Sequence, residues 1–378
     1  MSGEKTKIKL IKPQKNNSYF MPTEVYFGRG VLAELPKILK KRKVSKTLFI
    51  VGKHTQNDLI LNKLLNLGQV YPKEIKKSGF DEIDKLADYL RKGDYDNIVA
   101  IGGGTIIDTA KSGNILASNN GEVKKYVSSK KVLRKKGLFL VAVPTTSGTG
   151  SEVTSTAVVW GVKKYSLQSD FIFPDVAIVD SALTDNCPRY VTATSGIDAL
   201  CQAIEAYWNL HHNPTSDKYA LESIKTIIGN LEKAVTKPNK ESRDKMAWGS
   251  LFGGLAFSNT QTTICHSVSY PISIHWNVPH GQATSITLPS FIEYTFDVLG
   301  DREKLILEAI SVSDKKSAAQ KIRNLMKSIG LKTKLSELGI QKKEIDLIVA
   351  EGFDPIRAKN SPRIPTKEKL RKMLLSIL

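Results

Sequence analysis

Asn97-Ile98-Val99-Ala100-Ile101-Gly102-Gly103-Gly104-Thr105-Ile106-Ile107-Asp108-Thr109-Ala110-Lys111 changes its hydrophobic period in mid-course. The apolar run 97–101 predicts a buried strand, the three glycines a tight turn, and 105–116 a helix. Such a junction aims free backbone N–H groups and the positive end of a helix at an anion, and the missing side chains let a pyrophosphate approach closely. The spacing is not G-x-G-x-x-G, so the common dinucleotide fingerprint is absent and a plain tight turn is the alternative. A second cluster, Pro144-Thr145-Thr146-Ser147-Gly148-Thr149-Gly150-Ser151-Glu152, follows the apolar run 138–143. Its hydroxyls and glycines suit phosphates or a ribose.

Working outward, strand-like runs at 47–51, 69–71, 97–101, 138–143 and 176–179 alternate with helical stretches such as 81–92. Alternation of this kind predicts a parallel sheet with helices on both faces. Residues 154–167, β-branched and aromatic around Gly161-Val162-Lys163-Lys164, read as an inserted hairpin. Beyond Cys187-Pro188 helical periodicity takes over, broken by Asn213-Pro214, Pro238, Pro271, Pro279 and a loop at 354–365. We therefore expect an α/β domain over 1–187 and an all-α domain over 188–378.

The helical part carries a second chemistry. Asp198 and Gln202 are four apart and share a helix face if 197–208 is helical. Downstream stand Cys265-His266-Ser267-Val268-Ser269-Tyr270-Pro271 and Pro279-His280-Gly281. Two imidazoles, a carboxylate and a weaker amide donor suit Fe(II) or Zn(II); the alternative is a solvated Asp and two unrelated histidines. Cys201 and Cys265 adjoin these positions but point about 100° away along a helix, which makes them core residues.

Composition bounds the reading. The 378 residues suffice for two domains, and 41% hydrophobic with 25% charged residues is ordinary for a globular protein. Three dispersed cysteines argue against a disulfide framework. With no signal-like apolar segment near the start and no run of membrane-spanning length, a cytoplasmic protein is expected. The 56 Lys and Arg outnumber 37 Asp and Glu, giving +19. Yet the basic runs (Lys40-Lys41-Arg42-Lys43, Lys130-Lys131, Arg134-Lys135-Lys136) are short and lack interleaved aromatics. They read as solvated helix ends, the first closing a helix that begins near Gly30, rather than a nucleic-acid or membrane surface.

With these residues in place, the chain resembles the iron-dependent (group III) alcohol dehydrogenases, which include glycerol and propanediol dehydrogenases. The resemblance rests on Gly102-Gly103-Gly104-Thr105 through Lys111, on Pro144 through Glu152, and on Asp198, His266 and His280, in family order over nearly the whole length. Met21-Pro22-Thr23-Glu24-Val25-Tyr26-Phe27-Gly28 is similar to the family's entry strand. The resemblance implies a dehydroquinate synthase-like fold, with an α/β dinucleotide-binding domain, an all-helical metal domain and an active site in the cleft between them. It also implies NADPH or NADH, a divalent metal (Fe2+ foremost, Zn2+ as alternative) and a homodimer or larger homo-oligomer. The expected cofactor contacts are Gly52, Lys53, Gly102, Gly103, Gly104, Thr105, Asp108, Thr145, Thr146, Ser147, Thr149 and Ser151. The expected metal ligands are Asp198, His266 and His280, with Gln202 as a possible fourth.

Phe257-Ser258-Asn259-Thr260, His266 to Pro271, His275, Trp160 and Lys163-Lys164-Tyr165-Ser166-Leu167 are similar to one branch, the phosphonoacetaldehyde reductases. That implies metal-polarised hydride transfer to a small anionic aldehyde. Rival readings are another small aldehyde (aliphatic, diol-derived or sulfoacetaldehyde), or catalysis without metal. Three positions depart from the commoner family pattern. Gln202 replaces a histidine and is a poorer donor. Tyr270 replaces another; its phenol, with an unperturbed pKa of ~10, is either a catalytic proton donor or an aromatic wall. Gly52 replaces the Asp of NAD-preferring relatives, which removes a repulsion toward a 2′-phosphate. Lys53 beside it either pairs with that phosphate or is a solvated loop charge. Ser267, Ser269, Lys164 and Arg357 are candidate anion contacts by residue type, with His275 a lesser one. The bland alternatives are packing for the serines and a surface role for Arg357 and Arg363.

Overall fold

The computed structural model describes residues 18–53, 59–128, 131–353 and 355–378. The lysine-rich start, Lys130 and Asp354 lie outside the described residues. Strands β1 (Glu24–Phe27), β2 (Thr47–Val51), β3 (Gln69–Val70), β4 (Asn97–Gly102) and β5 (Phe139–Pro144) form, with β8 (Val176–Val179), a six-stranded sheet in the order β1-β8-β5-β4-β2-β3. Every pairing in it is parallel. Strands β6 (Thr156–Trp160) and β7 (Lys164–Gln168) make the separate antiparallel hairpin.

Both faces of the sheet are covered, which is why β4 reads as an unbroken apolar run rather than an alternating one. Successive side chains still go to opposite faces. Val99 and Ile101 pack with Leu35, Ile38 and Leu39 of α1 (Leu35–Lys41). Ile98 and Ala100 pack with Leu86 and Leu90 of α3 (Phe80–Lys92) and Ile106 and Ala110 of α4 (Gly104–Ala117). Two further helices, α2 (Leu59–Leu65) and α5 (Val123–Val127), complete this half. The helix expected from Gly30 opens as a 3-10 turn, Val31–Glu34, because Gly30 is left-handed (φ 82).

From Arg189 onward the elements are helical: α6 (Arg189–Trp208), α7 (Pro214–Thr236), α8 (Lys240–Thr260), α9 (Ile264–His275), α10 (His280–Ser285), α11 (Leu288–Thr295), α12 (Arg302–Ile310), α13 (Lys315–Ser328), α14 (Ile345–Glu351), α15 (Pro355–Ala358) and α16 (Lys367–Ser376). They share one core, in which Cys201 and Cys265 are fully buried. The break expected at Pro271 does not occur, since Pro271 lies inside α9. That helix is buried along most of its length, and its packing outweighs the ~3 kcal/mol that an interior proline costs. No described helix is long and apolar enough to cross a membrane.

The loop after β5 joins the two halves. A Cβ on Gly148 would lie 2.7 Å from the Ser195 Cβ of α6, and one on Gly150 2.5 Å from the Gly254 Cα of α8. Glycine at these two places lets the loop lie directly on α6 and α8.

Candidate active site and metal centre

Helix α6 presents Asp198, Gln202 and Glu205 at i, i+4 and i+7, on one face. The N-terminal turn of α9 brings His266 to this face, and α10 begins with His280. Donor atoms of Asp198, His266 and His280 all lie within 4.8 Å of one another. The Nε2 atoms of His266 and His280 are 3.6 and 3.9 Å from Asp198 Oδ1. Gln202 Nε2 donates to the other oxygen, Asp198 Oδ2, at 3.1 Å. All three of Asp198, Gln202 and His266 are buried.

The donor set fits a divalent cation. Among the described residues, buried His266 Nε2 and Gln202 Oε1 have no hydrogen-bond partner. Orphaned acceptors of this kind are costly unless something positive faces them. Burial pushes the Asp198 carboxyl up, but the His280 and His266 imidazoles and Lys164 outweigh it and hold it at about 2. Burial and then the Lys164 charge push His280 well below its ordinary value. An ionised carboxylate beside a neutral imidazole is the protonation pattern a metal requires.

Gly281 sets how closely α10 meets α6. A Cβ there would lie 1.8 Å from Thr194 O and 3.1 Å from Asp198 Cβ. Gly281→Ala should therefore push α10 off α6 and draw His280 from Asp198. We expect Zn2+ affinity, measured by chelator competition, to fall at least ~10-fold, with overpacking costing about 1–3 kcal/mol of stability. Unchanged affinity would contradict this role.

In the α/β half, Gly102 closes β4 and Gly103 caps α4. The two phosphate-type loops touch. Thr145 N donates to Gly102 O at 3.1 Å, and a Cβ on Gly104 would lie 2.7 Å from Thr149. A Cβ on Gly103 would lie 3.5 Å from Thr146 Oγ1. Thr105 opens α4, Ser147 lies in the second loop, and Gly52 N donates to Ile101 O at the end of β2. Lys53 is exposed and stands 3.8 Å from Glu74. Asp108 and Ser151 are bonded to each other. Ser151 Oγ donates to Asp108 Oδ1, and Val158 N donates to Oδ2 at 3.0 Å. Both carboxylate oxygens are occupied in a buried setting, so this pair ties the loop and the hairpin to α4.

Tyr270 lies next to the polar cluster, its ring centre 6.2 Å from that of His280. Lys164 reaches it from β7 of the hairpin, where Ser166 shares its face. Lys164 Nζ stands 4.9 Å from the Tyr270 ring centre and Arg357 Cζ 5.2 Å. Arg357 Nε donates to the Tyr270 hydroxyl and Nη2 to Ser166 Oγ. Both cations are buried, with only 7% and 9% of their surface exposed. The surface role expected for Arg357 is thus overturned; Arg363 instead stacks on Tyr294, at 4.2 Å. Ser267 Oγ donates to Gly352 O and Ser269 Oγ to His266 O, so both serines make packing bonds in the helical core. His275 Nε2 stands 2.8 Å from Glu351 Oε2 at the end of α9.

Residues 22–181 match the family model described as iron-containing alcohol dehydrogenase, and residues 192–378 its companion, the Fe-containing alcohol dehydrogenase family, C-terminal. The chain belongs to the iron-containing alcohol dehydrogenase family. It is an NAD(P)-dependent, metal-containing alcohol dehydrogenase. The NADPH-dependent butanol dehydrogenase of Clostridium saccharobutylicum is 31% identical, across 94% of this chain and 96% of the relative. The sulfoacetaldehyde reductase of Bilophila wadsworthia is 26% identical, across 94% and 97%. The crystal structure of the Bifidobacterium kashiwanohense sulfoacetaldehyde reductase in complex with NAD+ superposes with TM-score 0.90 at 31% identity, across 95% and 98%. Against this family background, Glu205 is the buried polar residue of the dehydrogenase site that we did not pick out from the sequence. Its i+7 spacing from Asp198 was the available signal.

Proposed function

We propose that this dehydrogenase reduces phosphonoacetaldehyde to 2-hydroxyethylphosphonate, using NADPH or NADH. The observation that carries this reading is the pair of buried cations, Lys164 and Arg357, that flank Tyr270 beside His280. Burying two like charges is costly unless an anion faces them. A neutral alkyl aldehyde offers none, whereas a phosphonate two bonds from the carbonyl carbon does. The motif residues 257–260 and 266–271 agree with the phosphonate branch.

When bound, a divalent ion supplies Lewis acidity at the carbonyl oxygen, and the reduced nicotinamide supplies a hydride. Asp198, His266 and His280 would hold the ion, with Gln202 Oε1 as a fourth donor. Lys164 and Arg357 bind the phosphonate oxygens and so fix the distance between the anionic end and the carbonyl. Tyr270 gives a proton to the developing alkoxide; Arg357 donates to its oxygen and stabilises the negative charge left on the phenol. A sulfonate has the same tetrahedral shape with one charge fewer, and sulfoacetaldehyde is the second reading, favoured by the likeness to the Bifidobacterium enzyme.

Initial rates of NADPH and NADH oxidation with phosphonoacetaldehyde, sulfoacetaldehyde and acetaldehyde test the proposal. Phosphonoacetaldehyde should have the highest kcat/KM, lost on chelation. Higher kcat/KM for acetaldehyde would overturn an anionic substrate, and higher kcat/KM for sulfoacetaldehyde would select the second reading. Burial pushes the Lys164 ammonium down to about 7, against the pull of Asp198 and with the push of Arg357. The charged form, present below that pH, holds the anion. KM for the anionic aldehyde should thus rise as pH climbs through about 7, by at most ~10-fold per unit, while KM for acetaldehyde stays level.

A further inference from the structure

We propose that Glu205 is a positioning residue for His266, deciding which ring nitrogen the imidazole offers to the ion. This rests on the metal site alone and is independent of the choice of aldehyde.

Glu205 is completely buried. Its Oε1 accepts from Thr263 Oγ1 and from Cys265 N, each at 2.7 Å, at the start of α9. Thr263 Oγ1 itself accepts from Trp208 Nε1 at 2.7 Å, so the one hydroxyl hydrogen of Thr263 is committed to Glu205. The other carboxylate oxygen, Oε2, meets His266 Nδ1. Opposite an acceptor-only oxygen, Nδ1 must carry a hydrogen, so in the neutral ring that an ion takes the lone pair is on Nε2. That nitrogen stands 3.6 Å from Asp198 Oδ1 and has no hydrogen-bond partner among the described residues.

The two oxygens of Glu205 therefore do separate work. Oε1 caps the start of α9, and Oε2 orients the ligand. Carboxylates that hold the far nitrogen of a metal-bound histidine raise its donor strength and narrow its orientation. Because α6 carries Asp198 and Glu205 on one face, a single rigid helix supplies a ligand and the support of a second ligand from α9.

Glu205→Gln separates these roles, since an amide keeps an acceptor for the cap but turns a donor toward Nδ1–H. Thr263→Val removes a cap bond and leaves Oε2 in place. The full-length chain, stripped with a chelator, would be titrated with Zn2+ against a chromophoric chelator and with Co2+ by visible absorption. Thermal unfolding of the metal-free proteins would be followed by circular dichroism. E205Q should bind Zn2+ about 10–100-fold more weakly and shift the Co2+ bands, while T263V stays within about threefold of the parent. Parental Zn2+ affinity in E205Q overturns the proposal, as does a loss of affinity in both variants that follows their loss of metal-free Tm. Should E205Q not fold, Glu205→Asp decides. Its shorter reach must shift the Co2+ bands, and unshifted bands overturn the role.

Discussion

Asp198→Ala is expected to lose the bound divalent ion and to lower kcat/KM by about three orders of magnitude. Asp198 is the one carboxylate of the triad, and its Oδ1 is the point on which both imidazole Nε2 atoms converge, at 3.6 and 3.9 Å. Without it, two neutral rings and an amide would have to hold a dication with no charge to balance it. Lewis acidity contributes several kcal/mol to carbonyl reduction; taking about 4 kcal/mol gives a factor of ~10³. The decisive comparison is with chelation. Chelator should slow the parent to the level of D198A and leave D198A unchanged, with metal content read by elemental analysis. A variant that keeps its activity, or one that chelation slows further, would place the ion elsewhere.

Arg357→Ala is the second large effect. Arg357 is buried and tied to Tyr270 and Ser166, so it spans from the helical half to the hairpin of the α/β half. Truncating one partner of a buried charge-assisted contact costs about 2–5 kcal/mol. For the anionic aldehyde we expect kcat/KM to fall by roughly 30- to 5,000-fold at that cost. Acetaldehyde loses only the support that Arg357 gives the Tyr270 phenol, so its fall should be clearly smaller than that of the anionic aldehyde. Arg357→Lys should recover only part of the loss, because the ammonium cannot present the planar fork of donors. Equal losses for charged and neutral aldehydes would assign Arg357 to holding the cleft together rather than to recognising the anion.

Much of the α/β half was readable in the chain because its signals are local. An apolar run covered on both faces, a glycine turn and a helical period sit within residues 97–116, and β4 and α4 fall there to within a residue or two. The same holds for Asp198 and Gln202, which share a helix face by spacing alone. Pro271 shows where local rules fail, since an interior proline was tolerated inside a buried helix. Asp108 and Ser151 show what a local pattern leaves out. Their motif positions say nothing of each other, yet Ser151 Oγ donates to Asp108 Oδ1 once α4 and the turn that opens at Ser151, 43 residues apart, are packed together.

By itself, the sequence determined the alternation of strands and helices and the helical character of the chain beyond Cys187-Pro188, and it singled out Asp198, His266 and His280 as candidate donors, which the fold brings together. Those follow from periodicity and side-chain chemistry, which are properties of neighbouring residues. Only the tertiary structure decided that Lys164 from a hairpin and Arg357 from a helix more than 190 residues later would be buried around one tyrosine. It likewise decided that Glu205 would stand behind His266 and that Gly281 would let α10 touch α6. Burial and convergence depend on how distant elements pack, and no local pattern encodes the distance between charges that are far apart in the chain.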